Sequence, residues 1–309
     1  MNTIPQSTSH ILMIRPVNFG FNEETAESNA FQNRNADKND VNKRAQQEFD
    51  AMVSVLRQNG VDVIVIDDTP EPHTPDSIFP NNWVSFHADG TIFLYPMQAE
   101  NRRLERREDI ITQLEDRFNV KHVIDLSRFE LEEKFLEGTG SMVLDRENKI
   151  AYACISPRTD RGLLNLFCEQ AGYKAVSFDA VDDHNMAIYH TNVLMCIGSS
   201  FAVICRDSIP NEHERAAVIE SLKSTKKEIV EISFQQMNRF AGNMLEVRNN
   251  AGETLIVMSQ NAYDALNEGQ KAVLEKYGKL VYAAINTIEN NGGGSARCMM
   301  AEVHLPVGS

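Results

Sequence analysis

One pattern recurs five times along these 309 residues and limits what the chain can fold into. A small polar or Gly-containing anchor precedes an apolar strand, a tight turn and a second apolar strand, and a helical stretch and a last short strand follow. In the first full copy the anchor is Asn81-Asn82. Residues 83–86 and 91–95 read as strands around the turn Ala88-Asp89-Gly90, Ile110, Ile111, Leu114 and Phe118 share one face of a helix expected over 104–118, and 122–126 is strand-like. The second copy follows Glu137-Gly138-Thr139-Gly140-Ser141, with strands over 142–144 and 150–153, a helix over 161–171 and a strand over 175–178. The third follows His190-Thr191-Asn192, with strands over 193–197 and 201–205, a helix over 211–222 and a strand over 228–232. The fourth follows Ala241-Gly242-Asn243, with strands over 244–247 and 254–258, a helix over 261–277 ended by Gly278, and a strand over 280–284.

The fifth copy keeps only its first strand, 299–305, after Cys298. Its missing parts stand at the other end of the chain: a strand over 11–14, a helix over 41–59 whose residues Ala45, Phe49, Met52, Val53 and Leu56 share a face, Gly60 to end it, and a strand over 61–66. Taking Asn82, Ser141, Asn192, Asn243 and Cys298 as equivalent, the intervals are 59, 51, 51 and 55 residues. The expectation is an α/β ring of five ββαβ modules with pseudo-fivefold symmetry, one domain over 1–309, closed by pairing the C-terminal strand with the N-terminal one. Such closure removes exposed sheet edges. The stretch 19–40, with Asn22, Glu23, Glu24, Thr25, Ser28 and Asn29, is too polar for a core and reads as an inserted loop, a lid or plain surface.

Composition narrows the function. Hydrophobic residues at 42% and charged residues at 24% are the balance of a globular protein, and a net charge of −14 repels phosphate backbones and anionic lipid. Nucleic acid and membrane are therefore not expected partners; a small molecule is. The first ten residues show no basic region leading into an apolar run, so no secretory signal is visible and a cytoplasmic, reducing location is expected. The five cysteines (Cys154, Cys168, Cys196, Cys205, Cys298) are odd in number and widely spaced, which argues against a disulfide framework or a structural zinc site.

The anchors carry the chemistry. Gly292-Gly293-Gly294 lets the backbone approach a ligand, and Cys298 follows at the mouth of an apolar strand. On its own that run is equally a flexible turn before a buried cysteine. A ring changes the weighing, because it gathers Asp76, Asn81, Asn82, Glu137, His190, Asn192, Asn243 and Cys298 around one axis. A thiol beside a histidine is a nucleophile with a proton carrier, whereas each residue taken singly has a bland reading as a turn residue or a core histidine.

These residues resemble the pentein superfamily of arginine deiminases, dimethylarginine dimethylaminohydrolases and glycine amidinotransferases, and within it bacterial citrulline-utilisation hydrolases and arginine deiminase-related proteins. The likeness runs from Met13-Ile14-Arg15-Pro16 to Cys298-Met299-Met300. It implies a five-bladed α/β-propeller and a cysteine hydrolase of guanidino or ureido amino acids. Pro75-Asp76-Ser77-Ile78-Phe79 looks like the segment whose aspartate opens the substrate site. Leu136-Glu137-Gly138 is similar to the motif whose glutamate supports the catalytic histidine, here His190. Ser156-Pro157-Arg158-Thr159-Asp160 looks like the S-x-R-T segment whose arginine holds the substrate α-carboxylate, and Arg102-Arg103 matches a second such arginine.

Two departures bear on the substrate. Asn81-Asn82 stands where relatives carry an acidic residue against the guanidinium, and His190-Thr191-Asn192 replaces H-x-D. Amides in place of carboxylates remove charge that offsets a buried cation, yet they pair with a neutral ureido group as donor and acceptor. The resemblance implies no metal or organic cofactor. It leaves open an amidinotransferase using the same intermediate and a non-catalytic binder of small molecules, and a homo-oligomer is compatible with it.

Overall fold

A computed structural model of the chain describes residues 4–25, 32 and 38–308. In chain order the first elements are β1 His10–Arg15, α1 Lys38–Gln58 and β2 Asp62–Asp67. The next module contains β3 Val84–Phe86, β4 Thr91–Leu94, α2 Glu100–Arg103, α3 Glu108–Glu115 and β5 His122–Asp125. Then come α4 Gly138–Ser141, β6 Val143–Asp145, β7 Ile150–Ile155, α5 Arg161–Ala171 and β8 Lys174–Asp179. After them stand α6 Thr191–Leu194, β9 Met195–Ile197, β10 Phe201–Ile204, α7 Glu212–Ser224 and β11 Glu228–Glu231. The last stretch holds α8 Phe234–Met237, β12 Leu245–Arg248, β13 Thr254–Ser259, α9 Gln260–Ala265, α10 Glu268–Glu275, β14 Lys279–Ala283, α11 Asn286–Gly292 and β15 Ala301–Glu302.

The strands form five sheets of three. In each, the middle strand pairs antiparallel with one neighbour and parallel with the other. Connection length explains this: a tight turn suffices for an antiparallel neighbour, whereas a parallel one needs a crossover of a dozen residues or more, which the helices supply. The inner strands β3, β6 and β9 are buried along their whole length, and β15 lies against β3, β6 against β9 and β9 against β12. The outermost strands are less buried, β5 mostly exposed and the others mostly half-buried. This is the α/β ring of five modules that the repeat predicts, the architecture of a five-bladed propeller that the resemblance implies. Its closure is as expected: β15 pairs antiparallel with β1 (Ile11 with Glu302, Leu12 with Ala301), and β1 pairs parallel with β2.

Within the modules, local sequence sets the elements. Helix α1 buries Ala45, Phe49, Met52, Val53 and Leu56. It ends at Gly60, whose φ of +81° lets the Gly60 and Val61 N–H groups reach the carbonyls of Arg57 (2.9 Å) and Leu56 (3.1 Å). Asp160 caps α5 by accepting from the Leu163 N–H at 2.8 Å.

Several boundaries differ from the sequence expectation, for identifiable reasons. Of the helix expected over 104–118 only α3, Glu108–Glu115, forms; a separate turn of helix, α2, ends just before that range at Arg103 and is capped by Leu104, which is left half exposed. The helix expected over 261–277 breaks at Leu266, where the backbone is extended, and restarts because Asn267 and Gln270 form a reciprocal capping box. Gly278 does not adopt positive φ; its lack of a side chain serves close approach, since a Cβ there would lie 2.9 Å from the Thr254 carbonyl. All five expected inner strands start too early, the second by one residue at Met142. Trp83, Val193 and Leu194, Met244, and Met299 and Met300 belong to turns or one-turn helices, and only Ala301–Glu302 of 299–305 joins the ladder. Each anchor thus closes a tight turn just before its strand. Of the 19–40 loop, Ser28 and Asn29 lie outside the described residues.

Phe49 carries the packing of α1 onto the closing sheet. Phe49→Ala is expected to cost about 3–5 kcal/mol, seen as a lower urea midpoint, while Leu131→Ala, at 92% exposure, should stay within about 0.5 kcal/mol of wild type. An unmoved midpoint for Phe49→Ala would contradict the burial described.

Candidate active site

The turns before the inner strands bring polar side chains to one cavity. It is lined by Asp76, Phe79, Asn82, Arg102, Arg158, Tyr189, His190, Gly292, Gly293, Gly294 and Cys298. The Gly run enters from α11, whose first free N–H groups are capped by a carboxylate from another module: Glu48 of α1 accepts from Thr287 (2.9 Å) and Ile288 (3.1 Å). Gly293, at φ +68°, turns the chain out of the helix, and the Ser295 hydroxyl donates back to Glu289 at 2.6 Å. A Cβ at Gly292 or Gly294 would come within 2.7–2.8 Å of the Phe79 ring, so this loop can sit on Phe79 only as glycine.

Cys298 ends the following turn, its N–H donating to Ser295. Its Sγ receives the side-chain N–H of Asn192 and of Asn243, each at 3.4 Å. Asn243 is itself fixed: Nδ2 also donates to the Asn192 carbonyl at 2.9 Å, and Oδ1 accepts from the Arg297 N–H at 3.0 Å. Two amide donors are thus aimed at one sulfur.

On the same wall, His190 Nε2 is 2.8 Å from Glu137 Oε2. Its other ring nitrogen faces Gly140, where a Cβ would lie 2.8 Å from Nδ1 and 2.4 Å from Asn82 Nδ2, so a side chain at 140 would collide with both residues. Glu137 stands behind His190, also accepting from the Gln98 N–H at 3.0 Å with the Arg158 guanidinium 3.6 Å away. Burial alone would raise the Glu137 carboxyl, but Arg158, the His190 hydrogen bond and Arg102 together hold it at about 2. Burial lowers His190 to about 4 despite Glu137, so the imidazole is neutral near pH 7.

Asp76 is the opposite case. Burial pushes its carboxyl up, Oδ2 accepts from Asn22 at 2.7 Å, and Oδ1 is buried with no hydrogen-bond partner among the described residues. Arg158 is set by its S-x-R-T turn, in which the Thr159 N–H donates to the Ser156 carbonyl at 3.0 Å and the Arg158 N–H to the Ser156 hydroxyl at 3.1 Å. The guanidinium then stacks over Tyr189, 4.8 Å from the ring centre.

The structure separates the two amides that the sequence treats as a pair. Asn82 is on the cavity wall; Asn81 points at α4, its Nδ2 donating to the Thr139 hydroxyl at 3.3 Å. Arg102 lines the cavity with its guanidinium forked onto Glu105, while Arg103 reaches away to the carbonyls of Met97 and Gln98. Sequence reasoning missed Phe79, Tyr189 and Asn22 as site residues. Two were within sight, since Phe79 closes the Asp76 motif and Tyr189 precedes His190; Tyr189 donates to the Gly293 carbonyl at 2.6 Å. Asn22 comes from the polar loop, whose described part reaches Asp76 and exchanges amide hydrogen bonds with Asn101 at 2.7 and 3.2 Å.

A family model described as N,N dimethylarginine dimethylhydrolase, eukaryotic, matches residues 15–305. No curated protein matches the sequence significantly. Among solved structures, the N-terminal domain of ArgZ bound to product, an arginine dihydrolase from the ornithine-ammonia cycle in cyanobacteria, is similar with a TM-score of 0.74 at 16% identity, over 96% of this chain and 98% of that one. The chain spans 41% of the length of apo ArgZ. A cysteine-to-alanine variant of AgrE in complex with L-arginine is similar at 0.75 and 15% identity, over 97% and 41% of the two chains. A dimethylarginine dimethylaminohydrolase adduct with S-methyl-L-thiocitrulline is similar at 0.63 and 16%, over 95% and 98%. At these identities what is shared is the fold.

The buried histidines tie stability to pH. His190 and His304 each titrate at about 4 in the folded chain, against 6.5 for the free side chain, chiefly through burial, and burial places His87 well below 6.5. Their contribution is fully present above 6.5 and is lost as pH falls toward 4, because the unfolded chain takes up protons first. Glu137 acts only in the lower window, from 4.5 down to about 2. Between pH 7 and pH 5 His190 and His304 are each expected to lower the unfolding free energy by about 2 kcal/mol, partly opposed by Glu105, whose buried carboxyl is raised to about 7 and takes up its proton first in the folded chain, and His190→Gln should flatten the net slope. A pH-independent urea midpoint over this range would contradict the description.

Proposed function

The chain belongs to the dimethylarginine dimethylhydrolase family, and from that premise we propose that it is a cysteine-dependent hydrolase of a guanidino or ureido C–N bond in an arginine- or citrulline-like amino acid. The observation that carries the reading is one cavity holding a thiol fixed by two amide donors, a neutral imidazole on a buried carboxylate, and an Asp76 oxygen without a partner.

Cys298 attacks the central carbon. Its proton passes to His190 and from there to the departing amine, so that an S–C bond forms as a C–N bond breaks. Water then adds to the thiol-linked carbon with His190 as base, the S–C bond breaks, and the proton returns to sulfur. Glu137 orients the imidazole, Asn192 and Asn243 hold the sulfur, Asp76 and Asn82 receive the planar head, and Arg158 receives the α-carboxylate.

The head group follows from charge. Asp76 and Glu137 supply carboxylates near the cavity even though Asn81 and Asn82 do not, which favours a cationic guanidino group. A ureido substrate is the second reading, favoured by Asn82: its Oδ1 is taken by Arg102 at 2.9 Å and one N–H by Asn81 Oδ1 at 3.1 Å, so what remains to it is its second N–H for a ureido oxygen. A location in the reducing cytoplasm is part of the proposal, supported by the five free cysteines. No helix among the described residues is long and apolar enough to cross a membrane. Residues 1–309 are read as one domain, supported by the β15 and β1 pairing.

Mass spectrometry of products from a panel of guanidino and ureido amino acids tests the reading. Wild type is expected to turn over at least one, and Cys298→Ser to lose that turnover by about three orders of magnitude or more. Full retention by Cys298→Ser would sink the mechanism, and turnover only with an added amine acceptor would make the protein a transferase.

A further inference from the structure

Glu105 contributes nothing to the cavity wall, yet it is 3% exposed and all of its visible bonding goes to one residue. Its Oε1 and Oε2 accept from Arg102 Nε and Nη2, each at 2.9 Å, and its N–H donates to the Arg102 carbonyl at 3.1 Å. Arg102 has other carboxylates within reach: Asp76 Oδ2 lies 3.9 Å from Nε and Glu137 Oε2 4.0 Å from Nη1, both beyond hydrogen-bond distance. A guanidinium presents a limited fork of donors, so a bidentate partner on one edge excludes another carboxylate from that edge.

We propose that Glu105 is a positioning residue for substrate selection: by occupying the fork of Arg102 it keeps Asp76 open toward the cavity for the substrate's head group. Asp76, in the cavity wall, is thereby left short of partners: among the described residues Oδ2, the oxygen nearer Arg102, accepts only from Asn22, and Oδ1 has no hydrogen-bond partner. Without the Glu105 charge, the Arg102 fork turns to the next carboxylate, Asp76, and occupies it. A guanidinium head then loses a charge-assisted partner, whereas a neutral ureido head loses a weaker one. Glu105 thus sets the preference for cationic over neutral heads without touching either. This rests on the guanidino or ureido reading given above.

The test is equilibrium binding in a Cys298→Ser background, so that turnover does not intervene. Calorimetry gives the affinities for L-arginine and L-citrulline in that parent, with Glu105→Gln added, and with Glu105→Gln and Arg102→Gln together; thermal melts verify folding. The arginine-to-citrulline affinity ratio is expected to fall about tenfold in Glu105→Gln, the scale of one charge-assisted hydrogen bond, and to return to within about twofold of the parent in the double variant, where the competitor for Asp76 is gone. Any contact of Arg102 with the shared α-carboxylate cancels in the ratio. An unmoved ratio in a folded Glu105→Gln protein, or a fall that persists in the double variant, overturns the proposal. If Glu105→Gln does not fold, Glu105→Asp, too short to fork, replaces it with the same expected rescue. Failure of the parent to bind either amino acid overturns the substrate reading and this assignment with it, whereas binding with an unmoved ratio overturns only the role of Glu105.

Discussion

The pairing of β15 with β1 is the interaction on which the rest of the structure depends. Cys298 lies three residues before β15, so the register that sets Ile11 against Glu302 and Leu12 against Ala301 also fixes where the sulfur sits. Strand side chains alternate between faces, and a one-residue slip would turn the whole segment over. Burial enforces the register: Ile11 and Leu12 are fully buried and belong to two different clusters, one under α1 and one shared with Trp83, Val84 and Phe86 of the neighbouring module. The Thr8 hydroxyl, donating to the Val303 carbonyl at 2.9 Å, and the Val303 N–H, donating to the His10 carbonyl at 2.9 Å, continue the seam past the ladder.

Charge is the second constraint. Asp76, Glu105 and Glu137 share the buried region with Arg102 and Arg158, three carboxyls against two guanidiniums, and burial raises the Asp76 carboxyl and pushes that of Glu105 up to about 7. Burying ions is expensive unless each is paired, and here Arg102 is paired while Asp76 is left short. A fold tolerates such a deficit where a ligand supplies what is missing, so the unsatisfied carboxylate and the proposed cationic head are one argument. Across the ring, Arg146, Arg297, Glu302 and His304 form another buried charged group, in which Arg297 meets Glu302 at 2.7 Å and Arg146 lies 3.5 Å from it. That cluster takes its members from two modules and holds them together.

How much of this could be read from sequence depended on the range of the interaction. The five modules were legible because apolar strands, turn residues and helix faces are local patterns, and ring closure followed from a copy split between the two ends. Cys298, His190 and Glu137 were legible as equivalents in that repeat. Helix breaks were not: Asn267 and Gln270 carry a capping box, but the apolar periodicity runs through it and hides the stop. Nor was the division between Asn81 and Asn82, which depends on Thr139 and Arg102 from elsewhere. Arg102 and Glu105 are three apart and visible as a surface-type ion pair; only the fold shows that the pair is buried beside Asp76. Asn22 lay in a stretch whose polarity announced a loop without saying what it covers.

The cap that Glu48 places on α11 has a further consequence, in the order of events as the chain is made. Ribosomal synthesis runs from the N-terminus, so the modules carrying Glu137, His190 and Asn243 can form their sheets before Cys298 emerges. The nucleophile loop then arrives after them, at a helix that already holds its carboxylate in place. Until that docking the thiol lacks both amide donors. The segment that closes the ring of strands is therefore also the one that completes the site.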